Sequence, residues 1–229
     1  MRDGGYKKIA DFTQFIEAFP DEEACRAYLF SRRWPNGFAC PRCGGRKHYY
    51  VSTRDLHECA YCRYQASVTA GTIMEKTHTP LKAWFWLIFL MANQKTGVST
   101  IGAAKMVGIT YKRAWFISHK IRAAMRDRDS HYKLIGLIEL DESYFGAKKG
   151  GKRGRGAEGK RPVLVGVSLA EDRPVHAFMQ VLERVNHLEI SSGVRQTIEL
   201  GSSVKTDGLG SYKKGLKGFD HEPIVLGVL

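Results

Sequence analysis

Two sets of side chains in this 229-residue chain have the types and spacing to do chemistry. The first is Cys40-Pro-Arg-Cys43 followed, after fifteen residues, by Cys59-Ala-Tyr-Cys62. Each Cys-x2-Cys turn presents two thiolates to one side. Two such turns make the tetrahedral four-sulfur shell that Zn2+ accepts. Gly44-Gly45 lets the first turn fold back. The second set is acidic. Ile135 to Gly146 reads Ile-Gly-Leu-Ile-Glu-Leu-Asp-Glu-Ser-Tyr-Phe-Gly, an apolar, β-prone run that breaks abruptly at Asp141-Glu142. Ser203-Val-Lys-Thr leads into Asp207 in the same way. A buried strand ending in a carboxylate can hold a metal ion against a phosphate, and carboxylate oxygens are the hard ligands that Mg2+ prefers. Glu142 follows Asp141 directly and on a strand points to the opposite face, so a surface or supporting role is expected. His48 and His57 lie near the cysteines, but four thiolates already close the shell, and both are expected at the surface.

These side chains need elements to place them. Asp11 to Arg33 reads as helix, with Asp21 as an N-cap and Glu22-Glu23 in the following turn. Cys25 within it reads as a small buried apolar residue. His48 to Val51 and Tyr64 to Val68 read as short ribbon strands, with so little core that folding should depend on the metal. Pro80 opens an apolar helix through Asn93. Ser99 to Val107, a turn at Gly108-Ile109-Thr110, and Tyr111 to Met125 follow the helix-turn-helix pattern. In the second helix Ala114, Trp115, Ile117, Ser118, Ile121 and Ala124 are available for packing. Lys112, Arg113, Lys120, Arg122 and Arg126 supply positive charge for a major groove. The plainer alternative is a helical hairpin with a solvated basic face. Strands are expected at Ile135 to Leu140, Pro162 to Leu169 and Val175 to Leu182, with a turn at Asp172-Arg173-Pro174. A helix over Leu188 to Leu200 and a strand over Ser203 to Thr206 come next. Three strands, a helix and a strand, with acids on the first and fourth strands, is the order of the RNase H-like fold. There the first and fourth strands lie side by side, which would bring Asp141 to Asp207.

Charge points to the partner. Lysine and arginine exceed aspartate and glutamate by 36 to 23. Lys105 to Arg128 and Gly146 to Arg161 each carry seven basic residues against one acid, and so hold nearly all the excess. Clustered positive charge suggests nucleic acid. The Gly-rich loop Lys148 to Lys160, with Lys148, Lys149, Lys152, Arg153 and Arg155, suits phosphate contact. It has no Gly-x4-Gly-Lys-Ser/Thr run, which excludes a Walker loop. The N-terminus lacks an apolar segment of signal-peptide type, and Ala83 to Ala92 is about half a membrane span. A soluble cytoplasmic protein with metal-bound rather than disulfide-bonded cysteines is expected.

Several longer blocks carry a family resemblance. Phe19-Pro-Asp-Glu-Glu-Ala-Cys-Arg-Ala-Tyr-Leu-Phe30, Arg33-Trp-Pro-Asn-Gly-Phe-Ala-Cys-Pro-Arg-Cys-Gly44, Leu140-Asp-Glu-Ser-Tyr-Phe-Gly146, and Lys205-Thr-Asp-Gly208 with Tyr212 and Asp220-His221 span most of the chain. They resemble the DDE transposases of bacterial insertion sequences that join an N-terminal zinc ribbon to an ISXO-like catalytic domain. The resemblance implies a multidomain α+β protein. Its parts are a helical segment (1–34), a zinc ribbon (35–75), a helix-turn-helix-like DNA-binding region (79–130) and an RNase H-like catalytic domain (133–229). It implies structural Zn2+ on Cys40, Cys43, Cys59 and Cys62, and two catalytic ions, Mg2+ or Mn2+, on Asp141 and Asp207. The implied partners are double-stranded DNA (terminal inverted repeats and target) and further copies of the chain, in the nucleoid and away from membranes. The family places a third acid on a helix beyond the fifth strand. No acid after Asp207 fits that position before Leu229, so a truncated member with an incomplete RNase H-like domain and impaired strand transfer is expected. The alternative is a non-catalytic, zinc-dependent DNA-binding regulator.

Overall fold

The computed structural model describes residues 9, 11–94, 96–146 and 159–224. The chain divides into two compact units, Met1–Met125 and Arg126–Leu229.

The first unit starts with α1 (Phe12–Ala18) and α2 (Glu22–Arg33). Asp11 and Asp21 cap them by accepting from Gln14 N and Ala24 N, so Asp21 caps as its position suggests. The three-stranded ribbon follows in the order β1 (His48–Val51), β2 (Leu56–Cys59), β3 (Gln65–Ala66), all antiparallel. Then come α3 (Leu81–Asn93), α4 (Thr100–Val107) and α5 (Tyr111–Asp129). Pro80 has no side chain to cap α3. Glu22 does it from a distance, its carboxylate accepting from Leu81 N and Lys82 N. Ser99 caps α4, and Gly108 ends it in the left-handed conformation, a backbone region that costs a side-chain-bearing residue free energy. Two separate cores result. Phe15, Phe19, Cys25, Trp84, Leu87 and Ile117 belong to the one built around α3. Trp34, Phe38, Cys40, Cys59, Ala66 and Val68 form the ribbon's own.

Among the described residues the second unit is a five-stranded sheet with two helices. Its strands are β4 (Leu137–Phe145), β5 (Arg161–Ala170), β6 (Arg173–Val181), β7 (Ser203–Thr206) and β8 (Asp220–Pro223), in the spatial order β6-β5-β4-β7-β8. The helices are α6 (His187–Thr197) and α7 (Gly210–Gly215). β4, β5 and β6 are an antiparallel meander, while β7 pairs parallel to β4 and β8 parallel to β7. The β5–β6 turn is Glu171-Asp172, both at positive φ, the two-residue hairpin geometry that matches strand twist. It lies one residue earlier than expected from sequence, and Arg173-Pro174 open β6 instead. Pro174 is tolerated there because β6 is an edge strand. The helix expected to reach Leu200 stops at Thr197, because Ile198 is drawn into a bridge with Leu134.

Alternation along β4 decides the site. Ile138, Leu140 and Glu142 face the core with Leu164, Ile190, Val194, Val204, Tyr212 and Leu216. Glu139, Asp141 and Ser143 face the other way and are exposed. Across from Asp141, Val165 of β5 pairs with Met179 of β6, and Met179 is also exposed.

Candidate functional site

In the ribbon, two matching knuckles hold the thiols. Gly44 N donates to Cys40 O, and Arg63 N donates to Cys59 O. Gly44 and Arg63 occupy equivalent places after the second cysteine of each pair, and both have positive φ. The turn therefore needs the left-handed conformation at both; glycine supplies it freely in one and arginine at some strain in the other. Gly45 is required for a different reason: a Cβ there would stand 2.5 Å from the Tyr61 ring and 3.3 Å from Cys59 Sγ. Tetrahedral Zn2+ with bonds of about 2.3 Å has sulfur–sulfur edges of about 3.8 Å. Cys40 and Cys62 Sγ are 3.6 Å apart, as are Cys43 and Cys59, and all four lie within 4.8 Å of one another. The donors fit. The backbone N–H groups of Cys62 and Tyr61 hold the Cys59 thiol down, against its own burial, while the neighbouring thiols push Cys43 up; four thiols this close share their protons until a cation replaces them.

His48 and His57 do not lie free on the surface. Their rings pack 4.9 Å apart in an aromatic cluster with Phe38 and with Phe30 and Trp34, which lie at or beyond the end of α2. Burial lowers the pKa of both, and the neighbouring His48 adds to the effect on His57. The platform comes from a helix outside the ribbon, which cysteine spacing does not reveal.

The carboxylates are placed by strand register. β4 and β7 pair as Leu137–Ser203, Ile138–Val204 and Glu139–Lys205. Carried two residues further, the same offset sets Asp141 level with Asp207, on the face shared by paired residues of a parallel sheet. Both are exposed. Asp141 Oδ1 accepts from Glu142 N at 2.8 Å and Asp207 Oδ1 from Leu209 N at 3.0 Å, contacts that orient each carboxylate. Thr206 Oγ1, on the core side, donates to Asp207 O and lies 2.8 Å from His221 Nε2.

Glu142 turns to the face opposite Asp141, as alternation requires, but that face is the core rather than the surface. It is 9% exposed and accepts a 2.6 Å hydrogen bond from Tyr212 Oη. Ile138 and Leu140, four and two residues earlier, are the signal for this. Tyr212 itself sits in α7, a helix too short and poorly capped to stand out in the sequence. Burial raises its pKa most, followed by the Glu142 bond and then the charges of Glu142, Asp141 and Asp207.

On α5, Lys112, Arg113, Arg122 and Arg126 are exposed. Lys120 is engaged locally: its ammonium donates to Ile73 O at 3.1 Å and lies 5.0 Å from the Phe116 ring centre. Trp115, expected to pack inward, is about half exposed and lies against His119, ring centres 4.1 Å apart and planes tilted by 48°. Lys148, Lys149, Lys152, Arg153 and Arg155 lie outside the described residues. Among the described residues no helix is long and apolar enough to cross a membrane.

Comparison with known proteins agrees with this architecture. Residues 20–65 match a transposase zinc-ribbon domain family, and residues 133–228 match the ISXO2-like transposase domain. A comparison with curated proteins found no match. The two domain matches together cover more than half of the chain, and their order is that of the ribbon and the five-stranded sheet. The cysteine centre is the ribbon's structural Zn2+ site, and the chain belongs to the insertion-sequence DDE transposases that carry an N-terminal zinc ribbon.

Proposed function

We propose that the chain binds the ends of its insertion sequence and serves divalent-metal-dependent DNA cleavage, strand transfer being impaired, with Asp141 and Asp207 as the first two of its metal-holding carboxylates. The observation that carries this is the shared offset of β4 and β7, which sets the two acids level on one open sheet face. The sheet order supports an RNase H-like arrangement, because the meander's first strand is central and the strand after the crossover helix lies beside it. Mg2+ or Mn2+ held there would activate water or a 3′-hydroxyl and stabilise the leaving oxygen. The protein's part is to fix two anionic ligands on β4 and just after β7, strands whose other face is packed in the core, so that they do not follow the substrate as it moves.

The ribbon and the α4–α5 pair, read as a helix-turn-helix, bind the DNA of the element ends. Lys112, Arg113, Arg122 and Arg126 contribute phosphate contacts, and Trp115 with His119 adds an exposed aromatic surface between them. Lys148, Lys149, Lys152, Arg153 and Arg155 are proposed to hold target or flanking DNA. Strand transfer joins two element ends to one target, so copies of the chain self-associate on DNA. The test is cleavage of a duplex bearing the element's terminal inverted repeats with Mg2+ or Mn2+. Activity lost in Asp141→Ala and in Asp207→Ala supports the assignment. Equal activity in Asp141→Ala and the parent overturns it. Salt-sensitive binding with no nicking at any metal concentration leaves the non-catalytic regulator.

A further inference from the structure

We infer that the buried Glu142–Tyr212 hydrogen bond is a positioning device that sets Asp141 against Asp207. The inference rests on the proposal that those two carboxylates hold divalent cations. Asp141 and Asp207 lie on different strands, and β4–β7 pairing is recorded only through Glu139–Lys205. Beyond that point the ladder no longer ties the two acids together, and something else must fix their separation.

A continuous set of contacts does so on the far side of the sheet. Asp207 Oδ1 accepts from Leu209 N, which turns the chain into α7. Tyr212 N donates to Leu209 O at 3.0 Å. Tyr212 is 0% exposed, and its hydroxyl reaches Glu142, the residue bonded covalently to Asp141. Glu142 N in turn donates to Asp141 Oδ1. The path thus runs from one metal-facing carboxylate to the other through the core, 70 residues apart along the chain at its long step. A phenol donating to a carboxylate gives a short, directional bond, and Tyr212 is held firmly protonated by its burial and its acidic neighbours. A core Phe and an apolar residue at 142 would fill the same space, yet they would leave the two acids free to drift apart. Outer groups of this kind typically change metal affinity by roughly 10- to 100-fold when altered.

The test uses the full zinc-loaded chain and Mn2+ alone, read as free Mn2+ by electron paramagnetic resonance. The parent should bind Mn2+ in a manner lost in Asp141→Ala. Tyr212→Phe should weaken Mn2+ by about tenfold or more. Glu142→Gln, which keeps an acceptor for Tyr212, should stay within about threefold of the parent. Because Tyr212→Phe leaves a buried acceptor without its donor, the paired variant Tyr212→Phe with Glu142→Met guards against simple unfolding. Replacing both ends of this bond with apolar groups removes it without leaving either end of it unmatched; a thermal melt checks that the variant is folded, and it should bind Mn2+ about tenfold more weakly. A core control, Ile198→Val, should lower stability without moving Mn2+ affinity. Parental affinity in the folded paired variant overturns the inference. So does a tenfold loss in Glu142→Gln with no loss in Tyr212→Phe, which would show that the charge matters and the bond does not. No Asp141-dependent binding in the parent removes the underlying metal assignment itself, an outcome distinct from either.

Discussion

Removing zinc should unfold the ribbon and spare the helices of the same unit. The ribbon's buried residues are Trp34, Phe38, Ala66 and Val68 together with the ligands Cys40 and Cys59, so a third of its core exists only to present sulfur. Binding of structural Zn2+ by such modules contributes roughly 10–16 kcal/mol, comparable with the roughly 5–15 kcal/mol total stability of an ordinary domain. Nothing else in the ribbon is of that size: its ion pairs, Arg26–Asp55 and Arg63–Glu58, are solvent-accessible and contribute about 0–1 kcal/mol each. The core around α3 owes nothing to the metal, since Phe15, Phe19, Trp84, Leu87 and Ile117 pack on one another. Chelation followed by hydrogen exchange should therefore strip protection from β1, β2 and β3 while leaving α3 and α5 protected. Exchange would become fast at the amides of Tyr49 and Glu58, which pair across β1 and β2, and stay slow at those of Leu87 and Ile117. Retained protection in β1 and β2 after complete zinc removal would refute the reasoning.

Other outcomes follow from single contacts. The depressed pKa values of His57 and His48 mean the unfolded chain takes up protons near the ordinary value of 6.5 while the folded ribbon resists them. Their contribution is thus neutral above about pH 6.5 and turns destabilising as the pH falls below it; an imidazole NMR titration should place the His57 midpoint below 6.5. Gly166→Ala would set a Cβ 2.2 Å from the Phe178 ring, forcing the ring back by about 1 Å and costing about 1–3 kcal/mol as overpacking. Urea unfolding of the variant checks this, and an unchanged midpoint would count against the placement of Phe178 over the sheet. Alanine at Lys112, Arg113, Arg122 or Arg126 should each reduce the slope of log affinity against log salt by about 0.9 if it removes one phosphate contact. Lys120→Ala should instead leave that slope unchanged and lower the melting temperature, because Lys120 is tied to Ile73 and Phe116.

How much of this was readable beforehand varies with the reach of the interaction. Local chemistry was plain: cysteine spacing foretold the four-sulfur cluster, and Asp21 announced the start of α2. The offset between Asp141 and Asp207 was accessible through the order of strands, because an apolar run ending in an acid occurs twice. Contacts made across the fold were not accessible. His48 and His57 looked like surface residues because Phe30 and Trp34, which cover them, come from α2 or just after it. Lys120 looked like any other cation on a basic helix, since Ile73 lies 47 residues earlier. α7 escaped notice because Gly-Ser-Tyr-Lys-Lys-Gly has neither a side-chain cap nor length. Tyr212 stands out in its sequence block and a supporting role for Glu142 is expected there, but their contact, 70 residues apart, is not legible without α7. β2 is not legible because Leu56-His-Glu-Cys59 is four residues long, carries no clear alternation and ends in a metal ligand.

The most direct measurement of the central claim is affinity cleavage of the protein by its own metal site. Fe2+ substituted for Mg2+, with ascorbate and peroxide, generates radicals that cut the backbone beside the bound ion. The account predicts cuts near residues 141 and 207, suppressed by excess Mg2+ and absent in Asp141→Ala. Cuts elsewhere that Mg2+ does not suppress, or an identical pattern in Asp141→Ala, would contradict it.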